Sequence, residues 1–171
     1  MTEHVSRRLV LVRHAKSDWP EVYDHERPLA AVGRRAAPAV GTWLREHDAV
    51  PDLVVCSTAR RVRETWDLIA GTLGGLPEVR FDERVYDAEL PELLEVVHEL
   101  PDHAVTAMLV GHNPGFHELA TTLAASAEDD ALERLTAKFP TAAVAVLSYG
   151  GPWPALGAGA AVLTDFAVPR A

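Results

Sequence analysis

The stretch LVLVRH, residues 9–14, decides the fold that we predict for this chain. Its first four residues are apolar, and a short apolar run bounded by charged residues is typical of a strand buried on both faces of a parallel sheet. An arginine and a histidine follow directly, where a packed core would not select them. Arg13 and His14 are therefore the first candidates for a functional site at the end of a strand.

Two further apolar runs, residues 53–56 and 105–110, are also followed by polar and charged side chains. Those side chains belong to Ser57, Arg60, Arg61, His112 and Asn113. In open α/β sheets, ligands bind beyond the carboxyl ends of the strands. If the three strands are parallel, we expect the polar groups that follow them to converge at one edge of the sheet.

Helical and strand patterns alternate along the chain, which predicts an α/β fold with a mostly parallel sheet in a single domain, residues 1–171. A polar stretch with two prolines, residues 17–29, is predicted to be a loop. Besides the three strands above, we predict strands at 79–81, 142–147 and 160–166. The predicted helices are residues 32–46, a helix capped by Ser57 or Thr58 that runs to Leu73, and residues 91–100, 116–125 and 129–135.

The composition excludes several classes of partner. The net charge of -9 disfavours nucleic acid and anionic membrane surfaces, both of which attract basic proteins. No apolar segment approaches the roughly 20 residues that a membrane span needs, and residues 1–8 lack the apolar core of a signal peptide. The single cysteine, Cys56, cannot form an internal disulfide, so we expect a cytoplasmic protein.

Two histidines and several arginines around one point predict an anion site that handles phosphate. Arginine binds phosphate oxygens through two parallel hydrogen bonds. A histidine can accept a phosphoryl group on an unprotonated ring nitrogen, and a hydrogen bond from its other nitrogen to a backbone carbonyl would fix that tautomer. We expect His14 to be this nucleophile. We expect His112, which can be cationic beside the phosphate, to stabilise negative charge in the transition state.

Three motifs support this hypothesis by their resemblance to the histidine phosphatase (phosphoglycerate mutase-like) superfamily. The sequence RHA, residues 13–15, resembles the Arg-His-Gly motif of that superfamily. Ser57, with Arg61 four residues later and Thr65 four further, resembles the second motif, and VGHN, residues 110–113, resembles the third. This register selects Arg61 rather than Arg60 as the phosphate arginine.

Within the superfamily the chain is similar to the SixA-type phosphohistidine phosphatases. The similarity lies in RHAKS at 13–17, RPL at 27–29 with Gly33, and GHNP at 111–114. It implies a three-layer α/β/α fold and a phosphorylated substrate, for which a phosphohistidine-bearing protein is one candidate. No metal or organic cofactor is implied. The implied roles are a phosphoryl acceptor at His14, phosphate clamps at Arg13 and Arg61, a stabilising partner at His112, and substrate contacts at Ser17 and Asn113.

The chain departs from the family pattern in ways that bear on the leaving group. Mutases and broad phosphatases of the superfamily carry an acidic residue in an insertion between the second and third motifs, and this interval is short here. Asp87 and Glu89 are the nearest candidates, and the sequence assigns neither. A missing acid fits a leaving group that departs easily, such as the imidazole of phosphohistidine.

Four alternatives stay open at this point. A cysteine-dependent phosphatase would use Cys56, but it needs an arginine six positions later, where Val62 stands. A metal hydrolase is disfavoured because no His-Glu-x-x-His motif exists. A sugar or nucleotide phosphatase of the same superfamily, or a non-catalytic phosphate-binding module, would use the same arginines. The sequence identifies neither the physiological substrate nor the oligomeric state.

Overall fold

The computed structural model describes residues 6–170, and strands and helices alternate along them as predicted. The polar start of the chain, residues 1–5, in which we predicted no signal core, lies outside the described residues. The strands are β1 (Arg7–Arg13), β2 (Leu53–Cys56), β3 (Glu78–Phe81), β4 (Thr106–Gly111), β5 (Ala124–Ala127), β6 (Val144–Tyr149) and β7 (Ala161–Ala167). The helices are α1 (Ala31–Glu46), α2 (Arg60–Leu73), α3 (Leu90–His98), α4 (Gly115–Leu123) and α5 (Ala131–Ala137). No helix within residues 6–170 is both long and apolar enough to cross a membrane.

The seven strands form one sheet in the order β3-β2-β4-β1-β6-β7-β5. β1 lies in its middle, parallel to β4 and antiparallel to β6. β2 is parallel to both β3 and β4, and β5 is parallel to β7. Among the described strands only β6 runs against its neighbours, so the prediction of a mostly parallel sheet is confirmed.

Helices cover both faces of the sheet, because the side chains of its central strand are apolar on both faces. Side chains alternate across a strand, so Leu9 and Leu11 of β1 face one way and Val10 and Val12 the other. The two leucines belong to a core cluster that includes side chains of α3, α4 and α5. The two valines belong to a second cluster with side chains of α1 and α2. All four side chains are fully buried, which confirms the three-layer α/β/α fold.

The strand register brings the polar strand ends together. Arg13 at the end of β1 lies opposite Gly111 at the end of β4, and Cys56 of β2 lies opposite Val110. Beyond the strands, the backbone N–H of His14 donates to the carbonyl of Gly111 at 3.0 Å. The predicted convergence of the three strand ends is therefore confirmed.

Two local predictions were wrong. Helix α2 begins at Arg60, with Ala59 rather than Ser57 or Thr58 as its N-cap, and that residue provides no side-chain cap. The helix predicted to end at residue 125 ends at Leu123, and Ala124–Ala127 forms strand β5 against β7 instead. Residues 17–29 form the predicted loop, which includes a 3-10 turn at Asp24–Glu26. The other predicted boundaries lie within two residues of those observed.

Candidate active site

A pocket of about 340 Å³ opens where the strand ends meet. It brings together all six residues that the sequence predicted for the site: Arg13, His14, Ser17, Arg61, His112 and Asn113. It also brings in residues that were not predicted as site residues. Of these, Asp24 and Arg27 hydrogen-bond to predicted residues, and the ring centroid of Tyr86 lies 5.5 Å from that of His112. The pocket therefore joins strand ends, the first turn of α2 and the loop at residues 17–29.

The His14 side chain is held in one tautomer. Its Nδ1 lies 2.7 Å from the backbone carbonyl oxygen of Ala15. A carbonyl only accepts, so Nδ1 carries the proton and Nε2 carries a lone pair. Burial lowers the pKa of His14 to about 4, and the positive charges of Arg61 and Arg13 act in the same direction, against the effect of the carbonyl. The imidazole is therefore neutral near pH 7, as a nucleophile must be.

The second histidine lies close to the first, with 5.3 Å between the ring centroids of His14 and His112. Its Nε2 is 2.7 Å from the Ser57 hydroxyl, and its buried Nδ1 has no hydrogen-bond partner among the described residues. Burial lowers the pKa of His112 to about 3, with His14 and Arg61 contributing. Without an anion beside it, the His112 ring is therefore neutral near pH 7. A phosphate dianion beside the ring would act in the opposite direction and raise this pKa.

Three arginines supply positive charge to the pocket, which Lys16 also lines. The guanidinium of Arg61 donates from Nη1 to the backbone carbonyl of Asp24 at 2.7 Å and from Nη2 to its Oδ2 at 3.1 Å. Arg27 donates to the Ser17 hydroxyl at 2.7 Å. The Nε atoms of Arg13, Arg27 and Arg61 are all buried without a partner among the described residues. Buried donors need acceptors, so an oxyanion with several oxygens would complete this cluster.

Asp24 is the carboxylate that the sequence did not reveal. Its Oδ2 accepts from the Tyr86 hydroxyl at 2.6 Å as well as from Arg61. The hydrogen bond from Tyr86, followed by the Arg61 guanidinium, holds the pKa of Asp24 below its ordinary value. Asp24 lies in a polar loop without periodicity, and Tyr86 lies beyond β3, so no spacing in the sequence connects them. Arg27 was part of the SixA resemblance, and that resemblance was the one signal for it.

Helix α2 supports the segment that carries His14. The Thr65 hydroxyl accepts from the backbone N–H of Ala15 at 3.1 Å and donates to the carbonyl of Arg61 at 2.7 Å. One buried side chain therefore connects the residue after His14 to the turn that carries Arg61. These two hydrogen bonds explain why a threonine stands at this position of the second motif.

The two candidate acids differ in position. Asp87 lines the pocket. Glu89 does not line it and instead precedes α3, where its backbone N–H donates to the Glu92 carboxylate in a capping box.

Asn113 donates from Nδ2 to a backbone carbonyl at 2.8 Å, and its buried Oδ1 has no partner among the described residues. Ser17 is buried and contacts Arg27.

The structure bears on two alternative mechanisms, one that uses a cysteine nucleophile and one that uses a metal ion. Cys56 is fully buried at the end of β2, and burial raises the pKa of its thiol to about 12. The thiolate that a cysteine nucleophile needs is therefore scarce near pH 7. Across residues 6–170, no group of three or more His, Cys, Asp or Glu side chains is arranged to hold a metal ion.

The chain has a three-layer α/β fold in which a buried, neutral histidine at a strand end faces a second histidine and three arginines. This combination defines a class of phosphoryl-transfer proteins. Residues 9–163 match the model of the histidine phosphatase superfamily (branch 1), and the chain belongs to that superfamily. The family is one of phosphatases, so the class of activity is hydrolysis of a phosphorylated substrate.

Similar proteins support this assignment over most of the chain. An uncharacterised protein of Mycobacterium tuberculosis is 41% identical over 162 residues, which cover 93% of this chain and 100% of the relative. A structure from Nakamurella multipartitia, assigned as a phosphohistidine phosphatase SixA, has 36% identity and a TM-score of 0.86, covering 97% of this chain and 98% of its own. A SixA assignment from Agrobacterium tumefaciens has 27% identity and a TM-score of 0.78, covering 95% and 98%.

Proposed function

We propose that this protein is a SixA-type phosphohistidine phosphatase that works through a phosphoryl group on His14. The proposal rests on the tautomer and charge of His14. Its Nδ1–H donates to the Ala15 carbonyl, and burial keeps the ring neutral. In the first step Nε2 attacks phosphorus, and the bond from phosphorus to the substrate breaks with its electron pair on the leaving group. Water then attacks phosphorus, and the bond from phosphorus to Nε2 breaks with its electron pair on Nε2. Inorganic phosphate leaves with the protons of the water, and His14 returns to its neutral form with the proton on Nδ1.

The roles of the other pocket residues follow from their hydrogen-bond donors and acceptors that have no partner among the described residues. Arg13, Arg27 and Arg61 bind the phosphoryl oxygens through their unpartnered Nε groups. His112 gains a proton in the presence of the dianion and stabilises charge that develops in the transition state. Ser17 positions Arg27. Asn113 presents Oδ1 to the substrate, since its Nδ2 is already bonded.

The substrate preference follows from the weakness of the acid candidates. Glu89 is engaged at the start of α3, and Asp24 is held in its ionised form by Tyr86 and Arg61. An alkyl phosphate expels an alkoxide and needs a well-placed acid, whereas the ring of a phosphohistidine leaves as a neutral imidazole once its other nitrogen is protonated. Asp87 also lines the pocket and stays available as an acid, but a phosphoramidate does not need it, so we expect the pocket to favour a phosphoramidate over an alkyl ester.

The rim of the pocket favours a substrate carried on a protein. Within the loop at residues 17–29, Trp19 is 77% exposed, Tyr23 87% and Val22 49%. The Trp19 ring also lies over the Arg27 guanidinium, whose Cζ is 3.5 Å from the ring centroid. Exposed aromatic side chains beside a pocket are typical of contact surfaces for proteins. We infer that a phosphohistidine-bearing protein docks there, in the cytoplasm, where a single free cysteine is ordinary.

Phosphate release from a substrate panel tests the proposal. The panel contains a phosphohistidine peptide, a phosphoserine peptide and a sugar phosphate, each offered to wild type, His14→Ala and the control His103→Ala. His103 is exposed and lies outside the pocket, so its substitution removes an imidazole without touching the site. We expect wild type and His103→Ala to prefer the phosphohistidine peptide, and His14→Ala to lose at least about a thousandfold in kcat/KM. A clear preference for the sugar phosphate would overturn the substrate assignment.

A further inference from the structure

A carboxylate is an unexpected neighbour for a phosphate dianion, yet Asp24 lines this pocket among three arginines. Its backbone carbonyl already accepts from Nη1 of Arg61, so the turn could hold that arginine without an acidic side chain. The Asp24 side chain is 53% exposed and contributes little to the core. The negative charge at this position therefore calls for an explanation in the chemistry of the substrate.

The two carboxylate oxygens of Asp24 have different surroundings. Oδ2 accepts hydrogen bonds from both Tyr86 and Arg61. Oδ1 lies 3.6 Å from Nε of Arg27, which is beyond hydrogen-bonding distance. Oδ1 thus keeps its lone pairs available at the wall of the pocket, while Oδ2 fixes the orientation of the group. The site presents an oriented, ionised acceptor beside the arginines that would bind the phosphoryl group.

We propose that Asp24 selects the leaving group by accepting a hydrogen bond from the far ring N–H of the phosphorylated imidazole. This inference rests on the proposed phosphohistidine phosphatase function and deepens it. A phosphohistidine ring is activated when the nitrogen that does not bear phosphorus is protonated. A carboxylate next to that nitrogen favours the protonated, cationic ring.

The step balances without a separate acid. A bond forms between Nε2 of His14 and phosphorus, and the bond from phosphorus to the substrate nitrogen breaks. The electron pair of the broken bond stays on that nitrogen, the proton stays on the far nitrogen facing Asp24, and a neutral imidazole departs. An alkyl ester has no N–H to offer Oδ1, and a substrate with a carboxylate beside its phosphate meets charge repulsion there. Asp24 therefore acts as a specificity-determining residue.

The substitution Asp24→Asn separates this role from that of merely holding Arg61. Asparagine keeps the backbone carbonyl and a side-chain oxygen for Arg61 and Tyr86, but it removes the charge. If Asp24 only positions Arg61, every substrate should lose activity by the same factor. If it selects the leaving group, the loss should be confined largely to the phosphoramidate, because hydrogen bonds to charged groups are the stronger ones.

The experiment compares kcat/KM for a phosphohistidine peptide, para-nitrophenyl phosphate and 3-phosphoglycerate. With Asp24→Asn we expect kcat/KM for the phosphohistidine peptide to fall about tenfold or more relative to the aryl phosphate. We also expect activity on 3-phosphoglycerate to rise relative to the aryl phosphate. Equal losses on all three substrates, or an unchanged selectivity, would overturn the inference.

Two controls keep the outcome decisive. Glu26→Gln removes a carboxylate from the same turn, at a residue that does not line the pocket, and should leave the selectivity at the wild-type value. Tyr86→Phe removes one hydrogen bond to Asp24 but keeps its charge, so selectivity should change far less than with Asp24→Asn. If the wild type itself fails to prefer the phosphohistidine peptide, the proposed function fails. If the wild type prefers it and Asp24→Asn keeps that preference, only this inference fails.

Discussion

At the scale of single residues, the nucleophilic role that we propose for His14 rests on a backbone carbonyl and on burial rather than on a side-chain base. The Ala15 carbonyl fixes the proton on Nδ1, and desolvation keeps the ring uncharged. The neighbouring positive charges of Arg13 and Arg61 act in the same sense, since a protonated ring would repel both. The groups that would bind the phosphate thus also keep its acceptor neutral before the phosphate arrives.

The substitution Cys56→Ser distinguishes histidine chemistry from cysteine chemistry. Cys56 is fully buried and its raised pKa keeps it a thiol, so we expect kcat/KM to stay within about twofold of wild type. A serine hydroxyl at this apolar position should lower the free energy of unfolding by about 1–3 kcal/mol if it finds no partner. Steady-state kinetics and urea unfolding measure the two effects separately. A loss of activity comparable to that of His14→Ala would revive the cysteine alternative.

The sequence predicted the site residues that directly follow strands or belong to a motif, because their positions are set by the sheet. His14, Arg61 and His112 are of this kind. It did not predict Asp24 or Tyr86, because both lie in irregular segments whose paths depend on tertiary contacts. The lowered pKa of His112 was not predicted either, since the desolvation that lowers it depends on burial that a sequence does not display.

At the scale of elements, helix α1 packs so closely against the His14 segment that only glycine fits at one position. A Cβ at Gly33 would lie 2.1 Å from the backbone carbonyl oxygen of Lys16. That same oxygen accepts from the backbone N–H of Ala30 at 2.9 Å, just before the helix begins. The start of α1 therefore fixes the backbone two residues after His14.

A matched pair of glycine substitutions tests this contact. Gly33→Ala should displace the Lys16 carbonyl, lowering both kcat/KM and the free energy of unfolding, the latter by about 1–3 kcal/mol as for other overpacked sites. Gly71→Ala, in α2, meets no atom within 4 Å and should leave activity unchanged while stabilising the protein by up to about 1 kcal/mol. Kinetics and urea unfolding of both variants provide the measurement. Similar behaviour of the two variants would contradict the close contact at Gly33.

Apolar periodicity predicted six of the seven strands and all five helices among the described residues, because burial on the sheet imposes those patterns. Strand β5 was missed for a physical reason. Its residues, Ala124–Ala127, are small, half-buried or exposed, and carry no alternating pattern. Their pairing with β7 at the edge of the sheet depends on backbone hydrogen bonds that the side chains do not encode.

At the scale of the whole molecule, two buried neutral histidines connect the active site to folding stability. His14 and His112 have pKa values lowered to about 4 and about 3, against an ordinary value of 6.5. Below pH 6.5 the unfolded chain takes up protons at both residues, whereas the folded protein does not. Their contribution to stability is therefore complete above pH 6.5 and is lost as the pH falls towards 4.

We accordingly expect the free energy of unfolding to fall between pH 7.5 and pH 5, by up to about 1.4 kcal/mol per pH unit for each histidine. The lowered pKa of Asp24 adds to this trend only near and below its ordinary value of 3.8, outside this window. Urea unfolding at several pH values measures the slope, and His112→Gln should reduce it. An identical slope in wild type and variant would show that His112 does not remain neutral in the folded protein.

The most direct test of the account is to trap the phosphorylated enzyme. Wild type is mixed with a phosphohistidine peptide, quenched without acid because phosphohistidine is acid-labile, and analysed by peptide mass spectrometry. The account predicts one phosphoryl group on His14, with neither modification nor phosphate release in His14→Ala. Phosphate release by wild type with the phosphoryl group on Cys56, or continued turnover by His14→Ala, would contradict it.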